Sequence, residues 1–174
     1  MADNNTVIES GYKFDFSGAK FEYFDALENH IQGLSSVDFV VETETHLLFI
    51  EVKNPDNPKA TEAKREDFLH TLQNNELMAE IGRKFKDSLL RKYAEGFKFV
   101  KPVKYIFILQ FDRYYEKQRK SFRKSIVNDY IPAKKLNSEA FKAFFKFEGF
   151  EMPNVERFSK EYNFTVQEIE NSTK

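Results

Sequence analysis

Two short apolar runs, Val37–Val41 and Leu47–Val52, stand either side of the polar segment Glu42–His46. Runs this rich in β-branched and aromatic residues read as strands, and a five-residue polar gap reads as a hairpin connection. Three charges interrupt the pattern: Asp38, Glu51 and Lys53. A charge in a strand that is otherwise buried is costly unless it is paired or binds a metal. Alternation puts Glu51 and Lys53 on one face and Val52 on the other. With the turn centred near Glu44, Asp38 is expected opposite Ile50 or one step from it. A small register shift or a twist then brings it beside Glu51. Carboxylates that close repel each other, and a divalent cation relieves the repulsion. An all-oxygen donor set of this kind favours Mg²⁺ or Mn²⁺. The competing arrangement pairs Asp38 with Lys53 at the sheet end and turns Glu51 to solvent.

Asp38, a gap of about a dozen residues, and then Glu51-Val52-Lys53 on an apolar strand resemble the PD-(D/E)XK nuclease superfamily. The resemblance covers roughly residues 20–110. It implies a restriction-endonuclease-like core in the order α-β-β-α-β, with Asp38 and Glu51 holding one or two Mg²⁺ or Mn²⁺ ions. It further implies that the backbone carbonyl of Val52 joins the ligands and that Lys53 assists the attacking water. Val37 stands where the motif's proline would be, and that proline is its least demanded element. A second Glu-x-Lys, Glu62-Ala63-Lys64, lies in a polar helical context and carries no such reading.

The expected fold is α/β, a single domain over residues 1–174 with a mixed central sheet flanked by helices. The core is placed at about 19–130 and a helical C-terminal extension at about 131–174. Tyr12, Phe14 and Phe16 alternate like a short strand within a loosely ordered start. From Ala19 to Gln32 the spacing of Phe21, Phe24, Leu27 and Ile31 predicts a helix that Gly33 stops. Glu28 falls inside that apolar stripe. Nucleases of the resembled superfamily often carry a glutamate on the helix before the hairpin, which makes Glu28 a candidate further metal ligand. A rim position reaching solvent or a lysine is the open alternative.

Asn54–Pro58 breaks the chain, and Lys59–Glu95 reads as helix in two pieces, broken at Asn74-Asn75 or Gly82 and ended by Gly96. Gln73 on this stretch is a candidate contact for nucleic acid. Arg83, Lys84, Lys86, Arg91 and Lys92 read as a solvated face. Tyr105–Phe111 is a continuous apolar run, expected as a central strand parallel to Leu47–Val52. Gln110 and Tyr114 match only superficially a Gln-x-x-x-Tyr motif of some superfamily members, because that motif lies on the helix after the lysine strand and this match starts at a strand end. Arg113–Asn128 predicts a basic helix whose Arg119, Arg123 and Lys124 are candidate phosphate contacts. An outward solvated face is the alternative. Ser138 caps a further helix bearing Phe141, Phe144 and Phe145, with Phe147 a candidate to extend its stripe, and Glu151–Lys174 is weakly patterned.

Composition narrows the function classes. The net charge of −1 argues against strong non-specific coating of DNA, although a cleft that meets phosphate locally does not require a basic chain. With no cysteine, a thiolate zinc site or a disulfide framework is excluded, which fits a cytoplasmic protein. No apolar run approaches the roughly 20 residues of a membrane span, and the N-terminus lacks a signal-peptide pattern. Neither a glycine-rich phosphate loop nor a His-Glu-x-x-His motif occurs. The expectation is a Mg-dependent (endo)nuclease that hydrolyses phosphodiester bonds in DNA with a metal-activated water. Two alternatives stay open. One is a non-cutting nuclease-fold module that binds nucleic acid or protein, and the other is a nuclease acting on RNA in a toxin or defence setting. Restriction-like enzymes often dimerise to cut both strands, so a homodimer is left open as well.

Overall fold

The computed structural model describes residues 5–26, 31–131 and 133–169. The strands are β1 (Thr6–Glu9), β2 (Tyr12–Asp15), β3 (Lys20–Tyr23), β4 (Phe39–Glu42), β5 (Leu47–Lys53), β6 (Val103–Leu109), β7 (Phe147–Glu151) and β8 (Thr165–Glu168). The helices are α1 (Glu62–Gln73), α2 (Glu76–Ala94), α3 (Glu116–Ser125), α4 (Ala133–Leu136), α5 (Glu139–Lys142) and α6 (Val155–Tyr162). A π-helical turn, Ile126–Tyr130, continues α3. The fold is α/β, with a mixed five-stranded sheet flanked by helices. Its order is β3-β4-β5-β6-β7, antiparallel across β3, β4 and β5 and parallel across β5, β6 and β7.

Alternation along the central strands builds two cores. Phe49, Tyr105 and Phe107 face α2, where the Phe85 ring stacks on Tyr105 at 4.8 Å and meets Phe49 edge-on at 5.7 Å. On the other face, Phe39, Ile50, Val52, Ile106 and Ile108 are covered by Tyr12, Phe14 and Phe16 and by Phe158 of α6. That cover includes a second, antiparallel sheet of order β1-β2-β8, which ties the start of the chain to its far end. The hairpin β4–β5 and the parallel placement of β6 agree with the sequence expectation. So does the break between α1 and α2, where Asn75 takes a left-handed conformation (φ 65°) that asparagine tolerates better than most residues.

Two expectations are corrected. Residues 20–23 form strand β3 rather than the start of a helix over Ala19–Gln32, so the order of the core does not open on α. Phe21 packs on Phe16 at 5.2 Å on one face of the sheet, whereas Phe24 joins the core on the other. Sides that differ in this way suit an extended chain. Nor are residues 131–174 a helical extension: β7 completes the central sheet beside β6, and β8 closes the small one. Among the described residues no helix is long and apolar enough to cross a membrane.

Candidate functional site

The register of β4 on β5 pairs Phe39 with Ile50, so one further step places Asp38 opposite Glu51. Asp38 lies just before β4, where the ladder has not yet begun. Its carboxylate supplies the missing acceptor: Oδ2 takes the backbone N–H of Val52 at 2.6 Å. The approach to this position is fixed by α2, since Ser88 Oγ accepts the Val37 N–H at 3.0 Å and Asp87 accepts that of Ser35 at 3.0 Å. On the other side the Asp38 carbonyl accepts the Phe24 N–H at 2.8 Å. Asp38 is thus held from β3, β5 and α2 together.

Glu51 is fully buried, and its carboxylate is surrounded by ammonium groups. Lys84 of α2 donates to Oε1 at 2.8 Å and to Oε2 at 3.0 Å, and Lys53 lies 2.9 Å from Oε1. Lys53, with 30% of its side chain exposed, also lies 3.6 Å from Glu80 Oε1 on α2. Asp38, Glu51, Lys53, Lys84 and Glu80 therefore form one charged cluster at the carboxyl end of β5. Crevices at the carboxyl ends of parallel strands are where open α/β sheets bind ligands.

Burial, and then the charge of Glu51, hold the Asp38 carboxyl well above the usual carboxylate range, against the opposing pull of Lys84. Burial alone would lower the Lys53 and Lys84 ammonium pKa values, but the Glu51 carboxylate beside each more than offsets it and both are raised. Both lysines are accordingly fixed positive charges at neutral pH. The two acids are hard oxygen donors, and the repulsion that raises Asp38 is the repulsion a divalent cation relieves. In chemistry the pair fits Mg²⁺ or Mn²⁺. Among the described residues no cluster of three or more acid, histidine or cysteine side chains suited to a metal forms. Glu28, the expected third acid, lies outside the described residues.

Other expected site residues sit apart from this cluster. The Val52 carbonyl faces Ser10, whose hydroxyl donates to it at 3.5 Å. Gln73 is an exposed terminal residue of α1. Arg119 is engaged within the fold. Its guanidinium donates to the carbonyls of Tyr114 at 3.0 Å, Leu109 at 3.0 Å and Met152 at 3.5 Å, bracing the end of β6. Arg123 pairs with Glu116 at 3.0 Å, while Lys124 is exposed on α3.

Lys84, Arg91 and Lys92 correct the reading of a solvated face. Lys84 reaches Glu51. Arg91 is 6% and Lys92 8% exposed, and both pair with Glu22 and Glu95 against the Phe24 ring. A signal for two of them is present in the sequence: Leu77, Ile81, Ser88 and Arg91 are buried on one face of α2, and the partly buried Lys84 falls between them at spacings of three and four. Compared with protein-family models, curated proteins and solved structures, the chain matches none.

Proposed function

We propose that the chain is a metal-dependent nuclease that hydrolyses phosphodiester bonds, with DNA as its substrate. The carrying observation is the convergence of two buried carboxylates, Asp38 just ahead of β4 and Glu51 on the facing β5, beside the partly exposed side chain of Lys53. A divalent cation bound there would lower the pKa of a bound water and neutralise charge developing on the phosphate. Asp38 and Glu51 would hold it. Lys53 is anchored on Glu51 yet partly open to solvent, which lets it orient a water or meet a phosphate oxygen as a fixed positive charge. Rigid support comes from β5, buried on both faces, and from the Ser88 and Asp87 contacts that set the path into Asp38.

The test is cleavage of matched DNA and RNA with Mg²⁺ or Mn²⁺ by wild type, Lys53→Ala and Asp38→Ala. Loss of one such electrostatic contact is expected to lower the rate by about 10²–10³. Full metal-dependent cleavage in both variants would refute the assignment, and preferential cleavage of RNA would move the substrate class.

One observation favours a second reading, a non-cutting binding module. Asp38 is engaged by Val52, and both Glu51 oxygens are engaged by lysines, so the cluster is also complete as an internal ion network. Under that reading, wild type neither cuts nor binds Mn²⁺.

A further inference from the structure

Lys84 has no place in the reading of Asp38, Glu51 and Lys53 as the working set, yet it makes the shortest ion pair in the cluster. It occupies both oxygens of Glu51, at 2.8 and 3.0 Å, with only 13% of its side chain exposed. Glu51 already has Lys53 as a partner, so α2 brings a second cation to a single carboxylate. A divalent ion that claimed both Glu51 oxygens would displace Lys84 from them. The displaced ammonium would then lose its nearest acid while largely desolvated, with the more distant Asp38 left to act on it, and weakening the pairing of a buried charge is expensive. An anionic oxygen arriving with the cation removes that cost, and the substrate of the proposed reaction carries one on every phosphate. The four-carbon stem of lysine gives the ammonium freedom to change partner without moving α2.

We propose that Lys84 is a built-in counter-ion that couples cation loading to substrate: the divalent ion enters as Lys84 leaves Glu51 for a phosphodiester oxygen. This rests on the metal-site reading above and adds a regulation to it. Lys84 is a positioning residue here, acting through Glu51 and the phosphate. Because coupling between two ligands is reciprocal, the phosphodiester and the cation each raise the affinity for the other by the same factor.

The experiment follows free Mn²⁺ by electron paramagnetic resonance during titration of chelator-treated protein, with and without dimethyl phosphate as a non-cleaved phosphodiester. In wild type, dimethyl phosphate is expected to tighten Mn²⁺ binding by about 5- to 150-fold, the usual range for coupled sites. Lys84→Met should bind Mn²⁺ alone more tightly than wild type by a similar factor and lose the phosphodiester dependence, whereas Lys84→Arg, which keeps the charge, should retain it. Equal Mn²⁺ affinity in wild type with and without dimethyl phosphate overturns the coupling and leaves the metal site standing. So does a Lys84→Met affinity no higher than that of wild type. If no form binds Mn²⁺ under either condition, the metal reading fails and the coupling with it. Should Lys84→Met not fold, wild type and Lys84→Arg decide the matter by themselves.

Discussion

Replacing Lys84 by methionine removes two of the three short contacts to a carboxylate that is 0% exposed, leaving Lys53 at 2.9 Å as its remaining cation. Deleting one partner of a buried ion pair costs about 3–5 kcal/mol, mostly because the other charge is left uncompensated. The surviving Lys53 contact places the expected loss at the low end, about 3 kcal/mol. For a chain of this length, 1 kcal/mol moves the melting midpoint by about 2–4 °C, so the variant should melt about 6–12 °C lower. Glu51→Met strands Lys84 in turn and should also destabilise. The double variant Glu51→Met/Lys84→Met strands neither, because Lys53 is partly solvated and keeps Glu80 at 3.6 Å. Replacing a buried pair by apolar groups of similar volume is often neutral or favourable. The double variant is therefore expected to be more stable than Lys84→Met alone, with a coupling of about 2 kcal/mol or more. Urea unfolding of wild type, both single variants and the double variant closes the cycle. Additive losses, with the double variant the least stable of the four, would refute the claim that Glu51 and Lys84 form one buried unit.

Asp38→Asn keeps an acceptor for the Val52 N–H and removes a charge whose carboxyl is raised by burial and Glu51. A raised acid stabilises the native state below its unfolded pKa and loses that contribution as pH rises through its folded value. The variant should thus be more stable than wild type at neutral pH, by about 0.5–2 kcal/mol, and the gap should shrink in acid; urea midpoints across pH would show the opposite trend if the reasoning is wrong. Gly82→Ala should destabilise by about 1–3 kcal/mol despite the better helix propensity of alanine. An added Cβ would stand 2.8 Å from Tyr130 Cβ and 3.1 Å from its carbonyl oxygen, so a thermal melt at or above that of wild type counts against the packing of α2 on that turn. Hydrogen bonds from Lys146, then from His46, hold the Glu148 carboxyl down at about 2. A depressed acid contributes stability above its unfolded pKa and loses it as pH falls, so Glu148→Gln should flatten the acid limb of the stability profile between about 4.5 and 2. An unchanged limb would show that the link between the β4–β5 turn and β7 does not form in solution.

The hairpin that carries Asp38, Glu51 and Lys53 was legible because its apolar residues are contiguous, its turn is short, and alternation alone sets which side chains share a face. The break between α1 and α2 and the strand at β6 were legible for similar local reasons. Residues 20–23 were not: Phe21 and Phe24 fit a helical spacing as well as an extended one. The choice is made by hydrogen bonding to β4 and by Arg91, whose guanidinium stacks 3.8 Å from the Phe24 ring. Lys84 and Lys92 look solvated on a charge count, since Glu51 and Glu22, which draw them inward, lie far away in sequence. β7 was missed because Phe147–Glu151 reads weakly by itself and becomes a strand by pairing with β6.

Pairing of Lys13 with Gln167 joins residues 154 positions apart (167 − 13), and it has a consequence for synthesis. On a ribosome, β4, β5 and β6 emerge with Ile50, Val52, Ile106 and Ile108 on one side, while Phe158, Phe164 and β8, which help to cover that side, have yet to be translated. Until they arrive, an apolar sheet surface stays open to other nascent chains. Arrival of α6 and β8, rather than formation of the central sheet, therefore marks when this surface is covered.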